Sequence, residues 1–159
     1  MTDADILKVI EAAFAGQGRP EHFTNYRHCE ECAEHDEVLR SRTQESLTVA
    51  DVGNPGWDPI CFVTDEGFRY SFPALARLAL QEPTEAHGWY FEQLLFHLND
   101  ANTPQKRRPA CSAQQREVVA SFLRHVLDTR GRMVTEHMCD DELRAAISLW
   151  SEAALDPTP

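Results

Sequence analysis

The chain has 159 residues and a formal net charge of −11 at neutral pH. A chain of this length usually forms one domain, and we predict a single α-helical domain over residues 1–159. Binding to a polyphosphate backbone or to an anionic membrane surface depends on clustered Lys and Arg. The acidic balance therefore argues against nucleic acid and membranes as partners.

The N-terminus and the hydropathy pattern predict a cytoplasmic location. No stretch approaches the ~20 consecutive apolar residues that span a bilayer, and residues 1–5 lack the basic start and apolar run of a signal peptide. The five cysteines are an odd number at uneven spacing, which is a poor disulfide framework for a chain that can build a core. We therefore expect reduced thiols.

A helix-start signal precedes most of the predicted helices, followed by apolar residues at helical spacing. The predicted helices cover about residues 2–15, 30–40, 64–80, 84–98, 112–131 and 140–154. The predicted caps are Thr2, Thr48, Thr64, Thr84, Ser112 and either Asp140 or Asp141, with Thr48 starting a single turn.

Proline and turn residues shape the middle of the chain. Residues 43–63 are expected to form a long ordered loop around Trp57. Pro73 lies inside the predicted helix 64–80 and should kink it or divide it, because proline removes a helical hydrogen bond. Short alternating β-branched runs are nearly absent. The predicted fold class is therefore all-α, a single-domain bundle of five or six helices with a long ordered internal loop.

Cysteine and histidine are concentrated in one short stretch. The chain has five cysteines and seven histidines, yet five of these twelve residues fall between positions 22 and 35. They are His22, His28, Cys29, Cys32 and His35. The surrounding segment, residues 21–42, has few apolar side chains, so metal ligation would supply ordering free energy that a core cannot.

The spacing of these residues suits zinc. Cys29 and Cys32 form a C-x-x-C pair, the spacing with which two thiolates most often hold one zinc ion. In a helix, His28, Cys32 and His35 would share one face. The candidate ligands are therefore Cys29, Cys32, His28 and His35, with His22 as an alternative. A closed structural site needs a second pair, and only single residues elsewhere are candidates, namely Cys61, His87, Cys111, His137 and Cys139.

The C-x-x-C pair followed by a histidine also resembles the alkylhydroperoxidase-like, or carboxymuconolactone decarboxylase, family. In that all-α family the paired thiols reduce peroxides with help from the histidine, so the resemblance implies a thiol-redox enzyme using Cys29, Cys32 and His35. That family has three residues between the second cysteine and the histidine, whereas two separate them here. The neighbouring glutamates are expected to raise the thiol pKa values.

A second resemblance rests on two stretches read together. They are H-C-E-E-C-A-E-H at residues 28–35 and W-D-P-I at residues 57–60, followed by F-R-Y-S-F-P-A at residues 68–74. These are similar to an uncharacterised bacterial family, a domain of unknown function, over about residues 22–80. The resemblance implies no activity. It implies that the Cys/His segment and the Trp57 loop belong to one domain and pack together.

Three interpretations of function remain open. The first is a protein with a structural zinc site in residues 22–40 and no catalytic residue. The second is the thiol-redox enzyme. The third is a protein-interaction module without metal, which would use the exposed face around Trp57 and leave the cysteines as half-buried small residues. The sequence does not indicate a partner's identity or an oligomeric state.

Overall fold

Seven α-helices form the fold over the residues that the computed structural model describes, 1–100 and 105–153. The helices are α1 (Asp3–Phe14), α2 (Glu30–Arg40), α3 (Val49–Val52), α4 (Asp65–Ala79), α5 (Tyr90–Leu98), α6 (Ala113–Glu136) and α7 (Asp140–Ser151). Three short 3-10 turns cover Pro55–Trp57, Pro59–Cys61 and Arg108–Ala110. The described residues contain two isolated β-bridges and no strand. The all-α prediction is therefore confirmed, with α3 as the predicted single turn.

Most helices begin at the predicted caps. The side chains of Thr2, Thr48 and Ser112 each form a capping box with the residue three positions later. Thr64 accepts a hydrogen bond from the Gly67 backbone N–H at 3.0 Å. Such caps satisfy backbone donors that the first turn of a helix leaves unpaired. The sequence signal therefore located these four helix starts correctly.

Two predicted caps are wrong. Thr84 forms an isolated bridge with Gly88, and α5 begins five residues later than predicted, after Trp89. Gly88 has a φ of +63°, a conformation that glycine adopts without strain, and this turn occupies the predicted first turn of the helix. Cys139 precedes α7, so that both predicted aspartates lie in the first turn instead. Anionic side chains are favourable there because of the helix dipole.

Helix α4 lies in the middle of the hydrophobic core. Helices α1 and α5 pack against it, and α6 packs against both α1 and α7. The Phe72 ring contacts three others, with ring-centroid distances of 5.0 Å to Phe14, 5.8 Å to Phe68 and 6.0 Å to Phe122. This aromatic cluster joins α1, α4 and α6.

Two helices continue where the sequence predicts an interruption or an end. Helix α4 runs through Pro73 without division, and Pro73 is itself buried together with most of the helix. Burial of that helix compensates for the hydrogen bond that proline removes. Helix α6 runs past Gly131 to Glu136, with one non-helical residue at Arg130 (φ −128°, ψ 23°). Among the described residues, no helix is long and apolar enough to cross a membrane, and the predicted α7 position Ala154 lies outside them.

Candidate metal centre

The segment before α2 is attached to that helix by one buried carboxylate. Asp36 Oδ1 accepts hydrogen bonds from the backbone N–H groups of Phe23 and Thr24 at 2.6 and 3.1 Å. Asp36 Oδ2 lies 2.7 Å from His22 Nδ1. The Thr24 hydroxyl donates to the Cys32 carbonyl at 2.6 Å. A polar network thus orders a segment that has few apolar side chains.

The same network explains why the hydrophobic pattern of residues 21–42 is weak. The buried residues of α2 are Cys32, His35, Asp36 and Leu39, which recur at the spacing of one helical face. Two of these four, His35 and Asp36, are polar residues that a hydropathy scale does not place in a core. The buried face of α2 is therefore partly polar, and contacts with neighbouring groups offset the free-energy cost of burying it.

The first turn of α2 brings three candidate metal ligands together. One ligand atom from each of His28, Cys29 and Cys32 lies within 4.8 Å of the other two. The two Sγ atoms are 3.2 Å apart, and Cys32 Sγ is 3.8 Å from His28 Nδ1. Cys29 is also the N-cap of α2, so its sulfur accepts a hydrogen bond from the Cys32 backbone N–H at 3.4 Å. We call these three residues the first group.

The two thiols of the first group differ electrostatically. Hydrogen bonds from the backbone and thiol of Cys32 lower the pKa of Cys29, with a smaller effect of His28. The hydrogen bond with Cys29, partial burial and the negative charges of Cys29 and Glu31 raise the pKa of Cys32. The expectation that acidic neighbours raise the pKa of both thiols is therefore wrong for Cys29. Its position at the helix N-terminus stabilises the thiolate.

The other two histidines predicted as ligands lie apart from the first group. His22 is bonded to Asp36 and stacks on Tyr26 with ring centroids 3.7 Å apart. His35 is fully buried, with its ring centroid 4.7 Å from that of Trp57 and 4.8 Å from that of Phe62. The His35 ring thus joins α2 to the Trp57 loop, as the second resemblance implies.

Of the five single residues considered as further ligands, none belongs to the first group among the described residues. Cys111 and Cys139 are buried, and burial raises the pKa of each to about 11. His137 Nδ1 lies 2.8 Å from Glu92 Oε2. His87 belongs to no group of three neighbouring ligand atoms among the described residues, and it lines a surface cleft.

Cys61 belongs to a second group, with Asp58 and His97, whose ligand atoms also lie within 4.8 Å of one another. Sequence reasoning missed this group, because His97 is 39 positions from Asp58 and no spacing motif connects them. A histidine among the apolar residues at the end of α5, in the stretch L-L-F-H-L, is the sequence signal that points to it.

The first group can bind a soft or borderline cation. Two sulfurs and one imidazole are ligands that zinc accepts, and a lowered thiol pKa favours the thiolate that binds metal. Three ligands leave one tetrahedral position for water or another donor. His28 and Cys29 are exposed, so that this position is accessible to solvent.

Comparison with known proteins identifies a family without an assigned activity. No curated protein and no solved structure matches this chain. A family model matches residues 2–154, which is nearly the whole chain and includes both groups. The chain therefore belongs to a family of unknown function, DUF6714.

Proposed function

We propose that this protein binds zinc at the N-terminus of α2 through His28, Cys29 and Cys32. The observation that carries the proposal is the approach of all three ligand atoms to within 4.8 Å of one another. The ligands come from three positions of one helix start, so one local element holds them in place. The hydrogen bonds that lower the pKa of Cys29 reduce the cost of displacing its proton from the site.

The sequence alone favours a purely structural zinc, whereas the site proposed here is also open to a further ligand. Because Asp36 and Thr24 already connect the segment to α2, its order does not depend wholly on the metal. The proposed ion has three ligands from the chain and one open position, which is the arrangement of sites that bind a further ligand. We therefore propose an accessible zinc site that adds stability and offers a coordination position to a small molecule or to a partner's donor atom.

Metal analysis of untagged protein tests this proposal. Wild-type protein and the Cys29→Ser/Cys32→Ser double variant are loaded with zinc, desalted and analysed for metal per chain. We expect the double variant to hold about one equivalent less than the wild type, because two of the three ligands of this site are removed.

Two further variants serve as a control and as a test of the third ligand. Cys111→Ala removes a buried cysteine outside both groups and should keep the wild-type zinc content. His28→Ala should lose the same equivalent as the double variant. Equal zinc content in the wild type and the double variant would overturn the proposal, provided that circular dichroism shows both to be folded.

A second candidate function is thiol-redox chemistry at the same pair. It is favoured by the 3.2 Å separation of the sulfurs and by the opposite pKa shifts of the two thiols. The Cys29 thiolate would attack a hydroperoxide, breaking the O–O bond to form a sulfenic acid and release water or an alcohol. Cys32 would then attack the sulfenic sulfur, forming a disulfide and releasing water.

The histidine of this reaction would differ from the one that the first resemblance implies. His28 lies next to Cys32, whereas His35 is enclosed by Trp57 and Phe62. In zinc-free wild-type protein, hydroperoxide should remove two titratable thiols, because Cys29 and Cys32 form a disulfide. In Cys29→Ser this disulfide cannot form, so the reaction should remove no thiol. Consumption of hydroperoxide by Cys29→Ser at the wild-type rate would eliminate this candidate.

A further inference from the structure

A cleft separates the Trp57 loop from α5. It has a volume of about 440 Å³, and Asp58 and Cys61 form part of one wall. Apolar side chains line much of the remainder, among them Pro55, Trp89 and Phe96. The second group therefore lies at the edge of a space that is large enough for a small molecule.

The second group contains an unusually buried polar pair. His97 Nε2 lies 2.6 Å from Asp58 Oδ2, and both residues are almost fully buried, at 2% and 4% exposure. The other carboxylate oxygen, Asp58 Oδ1, accepts a hydrogen bond from the Ile60 backbone N–H at 2.9 Å. Burying such a pair is costly, so a pair of this kind calls for a physical reason.

The helix that carries His97 also has a buried tyrosine hydroxyl without a hydrogen-bond partner among the described residues. Tyr90 is 3% exposed, and its hydroxyl makes no hydrogen bond with any described residue. Tyr90 precedes His97 by seven residues on α5, a spacing that places both on one face of the helix. Burial and the negative charges of Asp58 and Cys61 raise the pKa of Tyr90 well above its usual range. A buried donor without a partner among the described residues on this face of α5 is available to a bound species.

The turn that carries Cys61 is held by a buried arginine. Arg107, which is 2% exposed, donates to the carbonyls of Ile60 and Val63 at 2.9 and 3.0 Å. These two carbonyls stand on either side of Cys61 in the sequence. The position of the Cys61 sulfur relative to Asp58 is therefore restrained before any ligand binds, as a binding site requires.

We propose that Asp58, Cys61 and His97 form a second metal site, with zinc as the favoured ion, at the wall of this cleft. Carboxylate oxygen, thiolate sulfur and imidazole nitrogen are all donors that zinc accepts, whereas magnesium and calcium avoid sulfur. Binding replaces the Asp58–His97 hydrogen bond with bonds to the ion and displaces the thiol proton. Three ligands from the chain leave a fourth position for water or another donor.

A purely nucleophilic role for Cys61 fits the same residues less well. Partial burial and the charge of Asp58 raise the pKa of this thiol to about 11, so it is almost entirely protonated at neutral pH. A reactive cysteine needs the opposite shift. A metal ion supplies the positive charge that converts such a thiol to a ligand.

The test begins from the Cys29→Ser/Cys32→Ser protein, in which the first group cannot bind metal. We expect this protein to hold about one equivalent of zinc, and cobalt substituted for zinc should produce a sulfur-to-cobalt absorption band from one thiolate. Adding Cys61→Ser should remove the band and weaken zinc binding by at least about tenfold, because even loss of an outer-shell partner has an effect of that size. Adding Cys139→Ser instead should change neither measurement.

The outcomes separate this proposal from the proposed function. If the double variant holds less than a fifth of an equivalent of zinc and gives no cobalt band, the second site is overturned while the first can stand. If Cys61→Ser leaves the band and the affinity unchanged, the second site is likewise overturned. If the double variant matches the wild type in zinc content and Cys61→Ser removes it, the second site stands and the first is overturned. The cobalt spectrum of the Cys29→Ser/Cys32→Ser protein is recorded with the second group intact, so it remains informative if a Cys61 variant unfolds.

Discussion

At the scale of single residues, His35 shows how a side chain chosen as a ligand can have a packing role. Its ring is fully buried, and neither nitrogen has a hydrogen-bond partner among the described residues. The nearby Glu31 carboxylate oxygen is 3.6 Å from Nε2, too far for a good hydrogen bond. His35 therefore contributes ring packing, stacked on Phe62 and tilted against Trp57.

Substitutions of His35 distinguish packing from ligation. His35→Phe keeps a ring between Trp57 and Phe62 and removes two unsatisfied nitrogens, so the free energy of unfolding should change by less than about 1 kcal/mol. His35→Ala leaves a cavity and should lower it by about 3 kcal/mol. Urea denaturation measures both, and metal analysis should find wild-type zinc content in His35→Phe. Loss of zinc from His35→Phe would make His35 a ligand and contradict this assignment.

At the scale of secondary-structure elements, ion pairs between residues far apart in the sequence join α1 to α6. Arg130 interrupts the regular geometry of α6, and its guanidinium binds Asp3 Oδ2 at 2.7 Å and the Leu80 carbonyl at 2.7 Å. His125 Nε2 lies 2.7 Å from Asp3 Oδ1. One carboxylate at the start of α1 thus joins two side chains of α6.

The pairing of Asp3 predicts a pH-dependent contribution to stability. Arg130, and to a smaller extent His125, lower the pKa of Asp3 from 3.8 to about 2. A lowered pKa means that the contribution is complete above about pH 4 and is lost as the pH falls towards 2. Asp3→Asn should therefore lower the free energy of unfolding at pH 7 by about 1 kcal/mol or less, since the carboxylate is partly exposed. The difference between the variant and the wild type should shrink as urea denaturation is repeated down to pH 2. A difference that is constant across this range would contradict the assignment.

At the scale of the whole molecule, the first group and the second group of candidate ligands lie on elements that pack together. Helix α2 contacts the turn Pro59–Cys61, and the negative charge of Glu31 raises the pKa of both Cys32 and Cys61. The net charge of −11 favours cations over anions near such a face. Trp57, which is 45% exposed, lies at the same junction. This junction is where ligand binding would affect the bundle as a whole.

Zinc should stabilise the folded protein, because both proposed sites exist only when their elements are folded. A ligand at one hundred times its Kd adds about 2.7 kcal/mol of stability, which corresponds to a rise in Tm of roughly 5 to 10 °C for a chain of this size. Thermal unfolding with zinc, and with a chelator, measures this rise. Magnesium should have no effect, since both sites contain sulfur. A rise of the same size in protein lacking Cys29, Cys32 and Cys61 would show that the effect is unspecific.

The helix starts were predictable because a cap is a local interaction. Thr2, Thr48, Thr64 and Ser112 each reach a backbone N–H three residues away, a distance that the sequence itself specifies. The concentration of Cys and His before α2 was equally visible, and three of its members do form a ligand group. The continuity of α4 through Pro73 and the extension of α6 past Gly131 were not predictable, since burial of Pro73 and the packing of α6 on α1 and α7 depend on distant residues.

The sequence by itself determined the all-α class, most of the capped helix starts and the proximity of His28, Cys29 and Cys32 at the start of α2, because each depends on residues within one or two helical turns. Only the tertiary structure decided that His22 and His35 are engaged elsewhere, that Asp36 orders the polar segment, and that Asp58, Cys61 and His97 meet. These contacts depend on chain segments that folding brings together and on the free energy of burying polar groups with their partners. Neither is encoded in a short spacing pattern.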